Sequence, residues 1–540
     1  MGPLLKTNLE ELEYQAEQNR HPQYVHPFEG LKDGFSLYPH QVECLEWLED
    51  LWRRGWPGAL LADDMGLGKT LQSLSFMKWL SDGMKAQGER KPALIIAPAG
   101  LIANWGKEAE KYFGDALGSP VVLTGPALRR FRDLPPSKRI YLFNEAGVVL
   151  ATYETVRDKI QLFSNVDWGL LILDEAQKTK NPQARLTNAV ASLKAAFVLA
   201  MTGTPVENSF LDLWSIMNIA VPGFLRSARE FAESFGDDED IERSGRELNE
   251  ILTGERAEDS SGAASADSDG VSRMPVRLMM RRLKTERLKA LPRKIEDVRA
   301  RVMPPEQARA YRKVLADRSM AALSDEESIP GLVVLQRLSA ASLSPDEMTE
   351  ETEITDEIIG RSARLTALFE ILDEVKARGE KAIVFVQHLK LQQALARAIR
   401  KKYDLDHLPG MISGSMQADA RQRVVANFQN GPAGEFDAVV LMGRAAGTGL
   451  TLTAANHVIH LERWWNPAVE DQCSDRAYRI GQTKDVTIHV PLALLGPDDE
   501  TSFDAKLNAF LAVKRSRSAH VLQPGSDTRN AKELVSAILG

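Results

Sequence analysis

Gly58–Leu80 reads GALLADDMGLGKTLQSLSFMKWL. The apolar run Ala59–Ala62 predicts a short buried strand, and Leu71, Leu74, Met77 and Leu80 recur at the spacing of one helix face. Between strand and helix lie Asp64, Met65, Gly66, Leu67, Gly68, Lys69 and Thr70. Glycines at such a junction let backbone N–H groups wrap an anion at a helix N-terminus, while a lysine and a hydroxyl serve the phosphates and a Mg²⁺ ion. Lys69 then reaches the β- and γ-phosphates and Thr70 holds the metal. Asp63 stands where the usual pattern begins with glycine, so the strict motif is not met. A bare Gly-Lys-Thr recurs by chance; the strand-loop-helix setting is what favours phosphate.

A nucleotide hydrolase needs a second half, and Trp168–Pro182, WGLLILDEAQKTKNP, has the form of one. Leu170–Leu173 predicts a central strand with Asp174 and Glu175 at its C-terminal end, where open α/β sheets place their ligands. Asp174 suits the metal shell and Glu175 suits activation of the attacking water. Alone, the same run reads better as a strand ending in a solvated acidic turn; beside the loop at Lys69 the nucleotide reading prevails. Far downstream, His460–Val486 reads HLERWWNPAVEDQCSDRAYRIGQTKDV and is expected to set Arg476 and Arg479 one helical turn apart. Two guanidinium groups on one helix face suit a terminal phosphate held by another element.

In order along the chain, LYPHQVECLEWL, LADDMGLGKT, LDEAQKTKN, LAMTGTPVEN, LMGRAAGTGLTLTAANHVIHLERWWNP and DQCSDRAYRIGQ resemble the motifs of the Swi/Snf-type ATPases, a branch of the superfamily 2 helicases. The likeness runs from Leu37 to Val486, and Trp464, Trp465, Asn466 and Pro467 are especially characteristic. The resemblance implies an α/β fold of two tandem RecA-like lobes, parallel sheets flanked by helices, with helical insertions and a C-terminal helical brace. It implies ATP and Mg²⁺ as cofactors. Gln41 would read the adenine, and Asp64–Thr70 would hold the phosphates together with Gly449, Arg476 and Arg479, the two arginines acting as fingers. Thr202, Gly203 and Thr204 would relay nucleotide state, and Gly447 and Gly449 would form a loop near nucleotide and strand. Nucleic-acid contacts would come from Asn104 and Trp105 in APAGLIANW, Thr152 and Tyr153 in VLATYETV, Gln387 in IVFVQHLK, and from Thr448, Trp464 and Trp465. Arg281 and Arg282 would brace the lobes.

Three departures stand out. Gln177 replaces the family's usual histidine and cannot become a cation near neutral pH. Thr448 and Thr451 stand where glycine and asparagine are common, and Leu335–Pro345 lacks the basic, cysteine-containing run of many eukaryotic members. The last points to a bacterial or phage-associated member rather than a nucleosome remodeller; the resemblance then leaves open the motor of an anti-phage defence system such as Zorya and a stand-alone transcription-linked enzyme.

The 540 residues suffice for two nucleotide-binding lobes plus insertions. The expected divisions are 1–34, an N-terminal segment; 35–235, the first lobe; 236–273, an acidic, partly disordered insertion; 274–355, a helical protrusion and linker; 356–495, the second lobe; and 496–540, the helical brace. Strands are expected near Leu94, Val148, Leu171 and Val198, then near Ile383, Val439 and Ile459. Cys44 and Cys473, the only cysteines, read as buried thiols rather than a disulfide or metal pair. No apolar run approaches the length of a membrane span, and Met1–Arg20 is not signal-like, so the expected compartment is the cytoplasm.

A net charge of −8 argues against a simple electrostatic nucleic-acid binder. The charge is uneven, however. FGDDEDIE, RAEDSSGAASADSDG and PDEMTEETEITDE are acidic, whereas Leu278–Arg301 is strongly basic. That run reads either as part of a nucleic-acid track or as a solvated helix face.

The resulting expectation is an ATPase stimulated by double-stranded DNA that translocates along it and displaces bound material. Targeting would fall to protein partners or a missing N-terminal domain, with no membrane. An RNA helicase of the same superfamily, a non-hydrolysing ATP switch and a motor joined to a DNA-degrading defence effector are the other readings. Comparing RNA with DNA stimulation separates the first, single-turnover behaviour marks the second, and an added metal-bound carboxylate cluster would mark the third.

Overall fold

Parallel strands buried on both faces read as unbroken apolar runs, and the chain builds two sheets from such runs. The computed structural model describes residues 7–13, 15, 28–206, 209–236, 241–254, 276–284, 292–323, 331–349, 351–414, 416–443 and 450–518. The chain divides into two compact units between Lys289 and Ala290.

The first unit holds strands β1 (Gly58–Leu61), β2 (Ala93–Ala97), β3 (Val121–Val122), β4 (Val148–Thr152), β5 (Leu170–Asp174), β6 (Val198–Met201) and β7 (Met279–Met280). All pair in parallel in the order β3-β4-β2-β5-β6-β1-β7. Helices on the crossovers cover both faces, as all-parallel sheets require. In register, Leu61 and Asp174 both lie level with Met201. The residues that follow these three strands therefore leave the sheet at the same edge.

The second unit holds β8 (Lys294–Val302), β9 (Lys381–Val386), β10 (Gly410–Ile412), β11 (Asp437–Met442), β12 (His457–His460) and β13 (Val486–Leu494), again parallel, in the order β10-β11-β9-β12-β13-β8. Its last described helix, Phe503–Ser518, packs Phe503, Leu507 and Leu511 into an apolar cluster with Tyr311 and Leu338. Three polar fastenings accompany that packing. Arg364 and Asp504 form a buried bidentate pair, Arg463 donates to Asn508 at 2.9 Å, and Arg515 reaches Glu470 at 2.7 Å.

Each expected strand forms. Within 274–355, Met279–Met280 and Lys294–Val302 are strands where helix was expected, Lys284 is helical, 285–291 lies outside the described residues, and helices follow at Pro305–Leu323 and Gly331–Leu343. Of the acidic stretch, Ile241–Thr253 is helix, while 237–240 and 255–275 lie outside the described residues. The basic run is matched by acids within its own units. Arg282 pairs with Asp63, Arg293 with Asp485, Arg299 with Asp297 and Glu374, and Arg301 with Glu370. Those arginines do not present a bare positive stripe, and the described part from Lys294 is no helix face. Both cysteines are buried thiols. Among the described residues no helix is long and apolar enough to cross a membrane, and no cluster of metal-ligating side chains stands ready for a metal ion.

Candidate nucleotide site

Gly66 and Gly68 adopt φ of 89° and 84°, the left-handed region that favours glycine, and Gly68 caps the helix Lys69–Ala86. A Cβ on Gly68 would sit 2.4 Å from Gln41 Nε2. The loop is thus pressed against the glutamine expected to read the base. The Leu67 carbonyl accepts from Gln41 Nε2 at 3.3 Å and Gln72 Nε2 at 2.9 Å. His40 Nε2 lies 3.0 Å from the same oxygen, and since a carbonyl only accepts, this nitrogen carries the proton. Gln41 Oε1 accepts the Tyr38 N–H at 3.0 Å, so both ends of its amide are engaged. Gly68→Ala is expected to weaken ATP binding by about 5–30-fold, since the left-handed conformation alone costs an alanine ~1–2 kcal/mol. A nucleotide-binding titration giving wild-type affinity would contradict that.

Lys69 Nζ donates to the carbonyls of Asp63 at 2.6 Å and Asp64 at 3.2 Å, which holds the ammonium within the loop. The irregular Asp63 also has a reason. Its carboxylate accepts from Arg282 Nε at 3.0 Å and from the same guanidinium's terminal nitrogen, with side chains 0% and 2% exposed. Arg282 also donates to the His40 carbonyl and to Gln72 Oε1. Backbone pairing continues the bolt, because Asp64 N–H donates to the Arg282 carbonyl and Lys284 N–H to Asp64 Oδ2, both at 3.0 Å. Arg282, expected to brace the lobes, makes its described side-chain contacts within the first unit, to Asp63, Gln72, Glu43 and the His40 carbonyl. Arg281 lies half-buried within the electrostatic reach of Asp64.

At the end of β5, burial and the neighbouring Glu175 push the Asp174 carboxyl up to about 7, against the pull of the Trp105 indole and Lys69. A carboxyl in that state is one that a cation would ionise, and the hard oxygens of Asp174 and Thr70 are the donor set that Mg²⁺ takes. Glu175 has φ 55° and ψ 53°, rare for a residue with a Cβ. Gln177 Nε2 donates to its carboxylate at 2.8 Å, and Gln177 Oε1 accepts from Thr202 Oγ1 at 2.7 Å. Thr202 Oγ1 in turn accepts the Thr204 N–H at 3.0 Å. The glutamine found where the family has histidine thus joins Glu175 to the turn after β6. A Cβ on Gly203 would lie 3.1 Å from Met65 and 3.9 Å from Lys69 Nζ, so this turn abuts the phosphate loop.

Three of the expected nucleic-acid contacts turn inward. Trp105 is 2% exposed and donates its indole N–H to Asp174 Oδ2 at 2.8 Å. Tyr153 is 0% exposed and donates its hydroxyl to the Asp174 carbonyl at 2.9 Å. Thr152 is buried, its Oγ1 capping the next helix by accepting the Thr155 N–H at 3.1 Å. Both rings are buried against the end of β5, with their polar hydrogens engaged by Asp174. Asn104 remains half-buried.

In the second unit, the helix Pro467–Ser474 ends before the arginines, which occupy turns beyond its cap at Asp475. The expectation that both share a helix face therefore fails. Arg476 is buried, its carbonyl accepting the Leu452 N–H at 2.9 Å. Arg479 donates to Thr451 Oγ1 at 2.9 Å, so the departure at Thr451 has a partner. Gln482, not foreseen as a site residue, stitches this turn to its neighbour. Its Nε2 donates to the Ala455 carbonyl at 2.9 Å and the Ala477 carbonyl at 3.2 Å. Gln387 Nε2 donates to the Arg463 carbonyl at 2.6 Å, and its N–H to Glu462 Oε2 at the same distance. Trp464 packs on Gly443, where a Cβ would meet its ring at 2.5 Å, and Trp465 packs in the cluster with Phe503. Gly447, Thr448 and Gly449 lie outside the described residues.

A glycine-pinned loop with Lys69 and Thr70, set two strands from Asp174 and Glu175 on the same sheet edge, defines a P-loop nucleoside triphosphatase. The SNF2-related domain family matches residues 40–344, and the helicase conserved C-terminal domain family matches residues 363–481. The chain belongs to the SNF2-related family. It is similar to "Zorya protein ZorD" of Escherichia coli O139:H28, 34% identical over 98% of this chain and 49% of that protein. It is also similar to "Putative ATP-dependent helicase/translocase YwqA" of Bacillus subtilis, 30% identical over 90% of this chain and 49% of that one. The chain thus spans about half the length of these two relatives. A solved SWI2/SNF2 ATPase core of Sulfolobus solfataricus in complex with dsDNA is 28% identical, covering 92% of this chain and 96% of that one, with a TM-score of 0.41.

Proposed function

We propose that the chain is a DNA-stimulated ATPase motor that translocates on double-stranded DNA. The observation that carries this reading is the hydrogen-bonded path from Glu175 through Gln177 to Thr202 and Thr204, which lies beside a phosphate loop and ties the hydrolytic carboxylate to a second turn. Glu175 takes the proton from the attacking water, Lys69 steadies the β- and γ-phosphates, and Gln41 contacts the base. Thr70 and Asp174 hold Mg²⁺, which when bound neutralises the phosphate charge. Arg476 and Arg479 act as arginine fingers on the γ-phosphate, so that its loss changes what they hold. Family membership and the translocase relative support the coupling to a nucleic-acid track. Asn104, Gln387, Thr448, Trp464 and Trp465 are the residues retained as candidate contacts to it.

ATP turnover is expected to rise on adding duplex DNA and to rise less with duplex RNA. Equal rates with and without DNA would reduce the reading to a plain ATPase. Displacement of a triplex-forming strand, dependent on ATP, tests translocation itself. Similarity to a Zorya protein, 34% identical over nearly the whole of this chain and about half of that one, favours a role as the motor of an anti-phage defence system.

A further inference from the structure

Strand β2 lies between β4 and β5, with Ile96 level with Leu173 and Ala97 level with Thr152. The helices that follow β2 and β4, Ile102–Phe113 and Tyr153–Asp158, therefore start beside the end of β5. Each sends one buried aromatic donor to Asp174, and the two donors take different atoms. The Trp105 indole holds carboxylate Oδ2, and the Tyr153 hydroxyl holds the main-chain carbonyl. That carbonyl belongs to the peptide joining Asp174 to the left-handed Glu175, so the hydroxyl fixes the plane from which the Glu175 side chain departs. Neither aromatic is within the phosphate loop.

We propose that Trp105 and Tyr153 are positioning residues of the hydrolytic site: Trp105 orients the Asp174 carboxylate toward the metal, and Tyr153 holds the turn that aims Glu175. Two helices outside the nucleotide loop thereby set the rate of cleavage, and a shift of either alters turnover while leaving nucleotide affinity in place. This rests on the roles of Asp174 and Glu175 given above.

Trp105→Phe and Tyr153→Phe each keep a ring and lose the donor. Partners of this kind around a metal carboxylate typically carry about 10–100-fold in metal affinity or activity. For Trp105→Phe the expected result is kcat lower by roughly tenfold or more, an ATP KM close to wild type, and weaker Mn²⁺ binding to the complex with a non-hydrolysable ATP analogue, read by electron paramagnetic resonance. For Tyr153→Phe, kcat falls while Mn²⁺ affinity stays. Benzothienylalanine at position 105 keeps the bicyclic shape without the N–H, and it reproduces the phenylalanine result unless the effect is one of packing. Wild-type kcat and Mn²⁺ affinity without the indole N–H overturn the role of Trp105, and wild-type kcat in Tyr153→Phe overturns that of Tyr153. A wild-type chain that hydrolyses no ATP would instead overturn the proposed function.

Discussion

Glu175→Gln is expected to lower ATP turnover by about 10²–10⁴-fold, the usual worth of a positioned general base, while ATP binding persists. The substitution is nearly isosteric, and an amide oxygen still accepts the 2.8 Å hydrogen bond from Gln177 Nε2. The left-handed backbone at φ 55° is no harder for glutamine than for glutamate. What is lost is the ability to take a proton from water. Steady-state hydrolysis paired with a nucleotide-binding titration reads both halves of the expectation. Turnover at the wild-type rate would remove Glu175 from the chemistry, whereas loss of binding would point to a damaged loop. In cells carrying the full-length protein with its natural neighbours, the same variant is expected to abolish protection against phage if the defence reading holds.

Arg282→Ala is expected to destabilise the first unit by about 3–5 kcal/mol, the cost of leaving one member of a buried ion pair without its partner. Asp63 is 0% exposed and would be left without its guanidinium partner, and the His40 carbonyl and Gln72 would each lose a donor. The measurement is the first unfolding transition of the whole chain in urea. Removing both charges in Asp63→Leu with Arg282→Met should recover most of the loss, because apolar pairs of similar volume often replace buried ion pairs without penalty. A single variant as stable as wild type would show that the pair contributes nothing to holding the loop.

The hydrolytic residues were legible in the sequence because their chemistry depends on local order: Gly66 to Thr70 must follow a strand and open a helix, and Asp174 must end one. Roles set by strand order were not. β2 neighbours β5 across some seventy intervening residues and β4 flanks β2 on its other side, and only that order turns Trp105 and Tyr153 toward Asp174. Both then look like surface aromatics in a nucleic-acid segment when read along the chain. Asp63 likewise looks like a flaw in the motif until Arg282, over two hundred positions away, is seen to neutralise it. The arginine turn misled for a different reason: Arg476 and Arg479 keep the spacing of a helix, but the helix has already stopped at Ser474. The strands β7 and β8 were missed because Met279–Met280 is too short to show alternation and Lys294–Val302 carries five charged residues.

The helix Phe503–Ser518 bears on how such proteins are recombined. The helicase C-terminal family match stops at residue 481, yet Arg364, near its beginning, finds its carboxylate at Asp504, and Glu470 shares Arg515. What is inherited as a recognisable sequence block is therefore shorter than what folds. A chimera that exchanged second units between relatives at the family boundary would separate Arg364 from the helix that carries its partner Asp504, so the graft has to carry that helix with it.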